Sequence, residues 1–300
     1  MIGYVVFNLI VVLQLVLLAQ CTDLVGGHGG RMGVASVLFA ALGGYAYAIS
    51  AVTLRVGPWL SVLLALFATC VSALVMGWLF LRLRENDFLL ATLAAQMGFV
   101  ELANNVSILG GPLGIRNVPS PALGTILHDP ALDAMWVLGP AVVICSLTLV
   151  RLLGEAGRLG RLVRWIRDDE LSATAFGLPV DRLQIALFGF LALFSGLAGV
   201  GIVVAQGYVS PGSFDLWLSL TVLTVVYLSG TGGNPLAMFA GAVTLVVLNE
   251  LLRSFGSMPE LVGPVQQIAL NVILIAVLLV RRRGIAGPII EFGPSANRME

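Results

Sequence analysis

Long apolar runs broken by short polar stretches organise this chain. Apolar segments fall at 1–20, 33–54, 58–81, 88–108, 135–150, 183–206, 214–229, 236–252 and 264–280. About 20 apolar residues in a helix cross the ~30 Å hydrocarbon layer of a bilayer. The pattern predicts an all-α polytopic membrane protein, a single transmembrane domain over 1–300 with about nine crossings. Several runs are shorter than a full span, which leaves room for a broken or re-entrant segment. The first run is read as a membrane helix and not a removed signal, because no positive residue precedes it and Gln20 is a poor small residue before Cys21.

Charge then orients the segments. All 16 basic residues are arginine, balanced by 16 acids among 300 residues, and mean hydropathy is +1.00. Arg82 and Arg84 share one short loop, six arginines fall between 151 and 182, and Arg281, Arg282 and Arg283 follow the last run. Counting crossings puts all three groups on one side, with Arg31. The positive-inside rule makes that side cytoplasmic, with a tail over 281–300. The Gly- and Pro-rich stretch 110–134 is then the longest outer loop.

The region 151–183 is the polar exception, holding 11 of the 32 charged residues by position 182. Leu159, Leu162, Val163 and Ile166 recur at spacings of three and four, while Arg158, Arg161, Arg164 and Arg167 occupy the other side. This predicts an amphipathic surface helix with Trp165 at its margin. A second short helix follows in "RDDELSATAFGLP". Asp168 or Asp169 can cap it, Gly177 suits the left-handed position past its last turn, and Pro179 stops it. Asp181 is placed to cap the next crossing. Such a compact unit with a small-residue face reads either as a solvated topology marker or as a part made to fit a partner.

Other features add little chemistry. Glycines at 27, 30, 43, 196, 199, 232 and 233 permit close helix packing in lipid. None belongs to a phosphate-binding Gly-Lys-Ser/Thr loop, so ATP hydrolysis by this chain is not expected. Cys21, Cys70 and Cys145 read as buried hydrophobes, and His28 has no sequence neighbours that make a metal site. No nucleophile–base pair or paired carboxylate suggests catalysis, and no basic patch suggests nucleic acid. Glu101 stands well inside a crossing, with Asn104 and Asn105 on its face. An intramembrane acid is a functional hypothesis by default. Thr92 and Gln96 lie on a different face of that helix.

Several motifs, in order, resemble the permeases of branched-chain amino acid ABC transporters. They include "LRLRENDFLLATL", "NNVSILGGPLGIRNVP", "RWIRDDELSATAFGLPVDRLQIALFGFLALFSGLAGVG", "YVSPGSF" and "RRRGIAG". The first two are similar to the M-type of the paired permeases. Against that family the chain is expected to start late, without one amino-terminal crossing. It also departs from the family at Asn86, Asp87, Met97 and Leu109.

The resemblance implies a type II ABC importer permease in the bacterial plasma membrane. It implies partners: two ABC ATPase subunits that carry ATP and Mg, a second permease of the H-type, and an extracytoplasmic solute-binding protein. No cofactor or metal is expected on this chain. It implies an ATPase-coupling role for Arg167, Asp168, Asp169, Glu170, Ala173 and Gly177. The translocation pathway is expected among Glu101, Asn104, Asn105, Thr92 and Gln96. The solute implied is a branched-chain or related apolar amino acid. Two rivals stay open: a self-contained secondary transporter using Glu101 as proton carrier, and a membrane scaffold whose loop docks a partner.

Overall fold

A computed structural model describes residues 2–80, 83, 85–121, 130–150, 158–230, 232, 234–255 and 272. Helices stand at eight of the nine expected segments: α1 (Ile2–Asp23), α2 (Ala35–Ala48), α3 (Pro58–Phe80), α4 (Glu85–Asn105), α5 (Pro130–Thr148), α8 (Val180–Gln206), α9 (Leu216–Ser229) and α10 (Pro235–Phe255). Between α5 and α8 lie α6 (Arg158–Asp168) and α7 (Glu170–Ala175). The ninth segment, 264–280, the tail 281–300 and Gly233 lie outside the described residues. By length and composition five stretches can cross a membrane: Tyr4–His28, Ala35–Thr53, Pro58–Phe80, Val180–Gln206 and Pro211–Ser229. The count of nine therefore draws on shorter or more polar helices as well.

The bilayer's mark is clearest on α3. Its outer face carries exposed Leu63, Phe67, Leu74 and Val75, with exposed Trp59 and Trp78 at its two ends. Nineteen positions at 1.5 Å each separate the tryptophans by about 28 Å, close to the hydrocarbon thickness. Tryptophans anchor at both membrane–water boundaries, and this spacing fits α3 as a full crossing.

Helix α8 is the centre of the domain, packing on α1, α2, α3 and α5. Small residues let it approach α2 closely. A Cβ at Gly43 would lie 2.6 Å from Gly196 Cα, and one at Gly199 would collide with the Ala40 carbonyl. Phe39 and Phe188 meet edge-on at 5.3 Å beside this contact.

Two helices end in π-helical turns, Leu24–His28 after α1 and Ile49–Thr53 after α2. The first lies at the end where the arginine-bearing connections meet. There Arg31 Nη1 donates to the Leu83 carbonyl (3.1 Å) and Arg167 Nη1 to the Gly27 carbonyl (2.5 Å). The opposite end holds an antiparallel pair, β1 (Ile115–Arg116) with β2 (Tyr208–Val209). The Tyr47 hydroxyl donates to the Pro119 carbonyl at that end (2.7 Å).

Candidate functional site

The polar segment folds as a unit. Val163 and Ile166 of α6 turn inward while Arg161 and Trp165 stay exposed, as the spacing predicts. Asp169, not Asp168, caps α7: its Oδ1 accepts from Ser172 N at 3.0 Å, and its Oδ2 accepts from the Ser172 hydroxyl. The other end closes with Leu178 N donating to Ala173 O (3.2 Å) and Gly177 N to Thr174 O (2.9 Å). That pair of bonds requires a left-handed residue, and Gly177 supplies it at φ +79°. Asp181 makes no cap; Pro179 precedes α8 without a side-chain bond to it. With φ restricted and the chain already turned by Gly177, α8 begins directly.

Of the small residues of α7, Thr174 and Ala175 are exposed and Ala173 is turned into the fold. Ala173 is 0% exposed and packs with Ile166 and Val180 in a small core. A larger side chain there would lift α7 off α6, so Ala173 sets the tilt of α7. Arg167 is exposed, and its guanidinium reaches the π turn after α1. Asp168 and Gly177 are exposed, and the Glu170 side chain lies outside the described set.

What the unit does present is aromatic. Phe176, just past α7, is 74% exposed and rests against the 40% exposed Trp165 with ring centroids 5.3 Å apart. The sequence pattern pointed to charges and small residues here and passed over Phe176. An apolar residue immediately before a left-handed glycine was the available signal.

The expected pathway residues divide between two faces of α4. Thr92 and Gln96 are buried and saturated within the fold. Thr92 Oγ1 accepts from Val34 N (3.3 Å) and donates to Leu89 O (3.0 Å). Gln96 Nε2 donates to the carbonyls of Phe214 (3.2 Å) and Asp215 (3.1 Å), and its Oε1 accepts from Ser219 Oγ (2.7 Å). These bonds fasten α4 to the starts of α2 and α9. Glu101 and Asn105 are exposed and Asn104 half-buried. The Asn105 amide folds back to donate to Glu101 O at 2.8 Å. With Ala94 and Gly98, Glu101 and Asn105 form one stripe at spacings of four and three, open to the outside.

A second acid sits deeper than Glu101. Asp23, the last residue of α1, is 1% exposed. Its Oδ1 accepts from Gly232 N at 2.7 Å, and its Oδ2 faces His28 Nδ1 at 3.4 Å. A π turn stacks residues five apart, and that irregularity gives His28 a neighbour that α-helical spacing does not. Among the described residues no group of three or more His, Cys, Asp or Glu could hold a metal ion.

Comparison with known proteins places these features. The family described as "Branched-chain amino acid transport system / permease component" matches residues 4–280. The chain is 31% identical over 255 residues to the high-affinity branched-chain amino acid transport system permease protein LivM of Salmonella typhimurium (strain LT2), and 30% identical to LivM of Escherichia coli (strain K12). Each match covers 77% of this chain and 58% of the relative, so the chain spans little over half the length of these relatives. The permease protein LivH of Salmonella typhimurium is 26% identical, covering 76% of this chain and 75% of its own. No solved structure matches the chain at a significant level. The chain belongs to the family of branched-chain amino acid transport system permease components.

Proposed function

We propose that this chain is a membrane-spanning permease subunit of an ATP-driven importer of branched-chain or related apolar amino acids. The observation that carries the reading is the capped α6–α7 unit, which holds the Phe176–Trp165 pair outward at the arginine-rich end. A topology marker needs only positive charge. A helix capped at both ends, tilted by a buried alanine and tipped with an exposed aromatic is built for a receiving cleft. Two ATPase subunits, which bind ATP and Mg, supply that cleft on the cytoplasmic side.

The α4 stripe supports the second half of the reading. The α3 surface is uniformly apolar between its tryptophans, as lipid requires. The α4 stripe carries a carboxylate and small residues, and a carboxylate turned to lipid costs free energy. It therefore faces a second permease, of the H-type, across a hydrated pathway. An external binding protein delivers solute at the opposite end, where a cavity of about 540 Å³ opens beside the β1–β2 pair.

The test is leucine uptake by proteoliposomes holding this chain with its ATPases, companion permease and binding protein. Uptake that needs ATP and every partner is expected. Uptake by this chain alone, driven by a proton gradient and abolished by Glu101→Gln, would instead establish the secondary-transporter reading. No flux in either arrangement would leave a docking scaffold.

A further inference from the structure

The π turn after α1 lies between two grips that tie distant parts of the chain together. From one side Arg167, at the end of α6, donates Nη1 to the Gly27 carbonyl at 2.5 Å. From the other, Asp23 Oδ1 takes Gly232 N at 2.7 Å across 209 positions of sequence. Both act on the same peptide region. A Cβ on Gly27 would strike Asp23 Oδ1 and Gly232 N, and one on Gly232 would lie 3.4 Å from Arg167 Nη1. One on Gly30 would lie 3.1 Å from Arg167 Cγ. Glycine at these positions is what lets the three segments close on one another.

The energetics favour a purpose other than filling space. A carboxylate this buried costs free energy that an apolar residue would not, and it persists when its bonds fix an arrangement. Among the described residues Asp23 Oδ1 holds one hydrogen bond, while Oδ2 has none and faces His28. Arg167, for its part, spends a guanidinium on a backbone carbonyl of another helix, although its own segment is exposed.

We propose that Asp23 and Arg167 are positioning residues that clasp the α6–α7 unit to the end of α1 and to the loop between α9 and α10, so that these parts move together when an ATPase moves α7. This rests on the importer reading above and adds a role that reading does not contain. It also reassigns Arg167, which acts through the permease itself and not by touching the ATPase.

The test uses the full reconstituted complex and reads three quantities: ATPase association, ATP hydrolysis, and solute imported per ATP. Arg167→Gln is expected to keep ATPase association within twofold while import per ATP falls at least tenfold, and Arg167→Lys, which retains a donor for Gly27, to recover half or more. Asp23→Leu should behave like Arg167→Gln, with Asp23→Asn, which keeps an acceptor for Gly232, recovering in the same way. Tenfold weaker ATPase association in Arg167→Gln would overturn the proposal in favour of direct docking. Unchanged import per ATP would overturn it outright. If Asp23→Leu fails to accumulate, the Arg167 pair decides alone. A separate readout needs no transport: spin labels at exposed Ala175 and Leu236 should give a narrow distance distribution that Arg167→Gln broadens at least twofold. Equal widths refute the clasp even in a chain that proves not to be an importer subunit.

Discussion

Truncating Phe176 to alanine separates docking from folding more cleanly than any change among the neighbouring charges. A fully covered phenylalanine buries about 150–250 Å². Nearly three quarters of Phe176 is uncovered in the isolated chain, at 74% exposure. At about 25 cal/mol per Å², covering the remainder is worth roughly 3–4 kcal/mol, and alanine keeps a fraction of that. The expected loss is about 2–3 kcal/mol, or roughly 30- to 150-fold in affinity, the scale of an interface hot spot. Among the described residues the fold gives up the ring contact with Trp165, worth about 0.5–1.5 kcal/mol. The assay is equilibrium binding of the ATPase subunit to the permease in nanodiscs, with thermal unfolding measured on the same samples. Phe176→Leu, which keeps most of the apolar area, should stay within about tenfold of the parent. Binding of Phe176→Ala within twofold of the parent, with an unchanged melting temperature, would refute the assignment of this tip as the docking element.

Two further outcomes follow from the local geometry. Asp169→Ala removes the cap of α7 and should cost about 1 kcal/mol, which hydrogen exchange reads as roughly fivefold faster exchange of α7 amides with the membrane helices unaffected. Gly199→Ala drives a methyl into the Ala40 carbonyl at the α2–α8 contact. Since overpacking there costs about 1–3 kcal/mol, the purified subunit should unfold at lower temperature, whereas Gly189→Ala on the same helix, where a Cβ meets nothing within 4 Å, should not.

Hydropathy located the apolar helices because lipid imposes one rule on every residue in a span, and helices stand at each apolar run within the described residues, five of them long and apolar enough to cross. The caps of α7 were legible for a related reason: Asp169 and Gly177 act within three or four positions of themselves. Contacts across the bundle left no comparable local trace. Thr92 and Gln96 share a face, but nothing in their spacing says that the face meets Val34, Phe214 and Ser219. Asp23 was passed over because the first apolar run ends before it. The π turn that carries α1 onward brings Asp23 to His28, and its partner Gly232 lies in a loop read only as small-residue packing. The spacing of the α6 arginines says nothing of the Gly27 carbonyl, 140 positions away in sequence, to which Arg167 donates.

The placement of α8 explains how the two ends of the molecule can answer one another. Its first residue, Val180, sits in the small core that holds α7, so α7 cannot tilt without loading the start of α8. From there 27 residues run without a break, about 40 Å at 1.5 Å each, to Gly207 and the β1–β2 pair. The next turn, Pro211–Phe214, returns into the bundle, where Gln96 of α4 holds the carbonyls of Phe214 and Asp215. Gln96 lies five positions before Glu101, on the face of α4 opposite the open stripe. A packed and hydrogen-bonded path thus joins the exposed aromatic tip to the back of the helix that carries the unpartnered stripe.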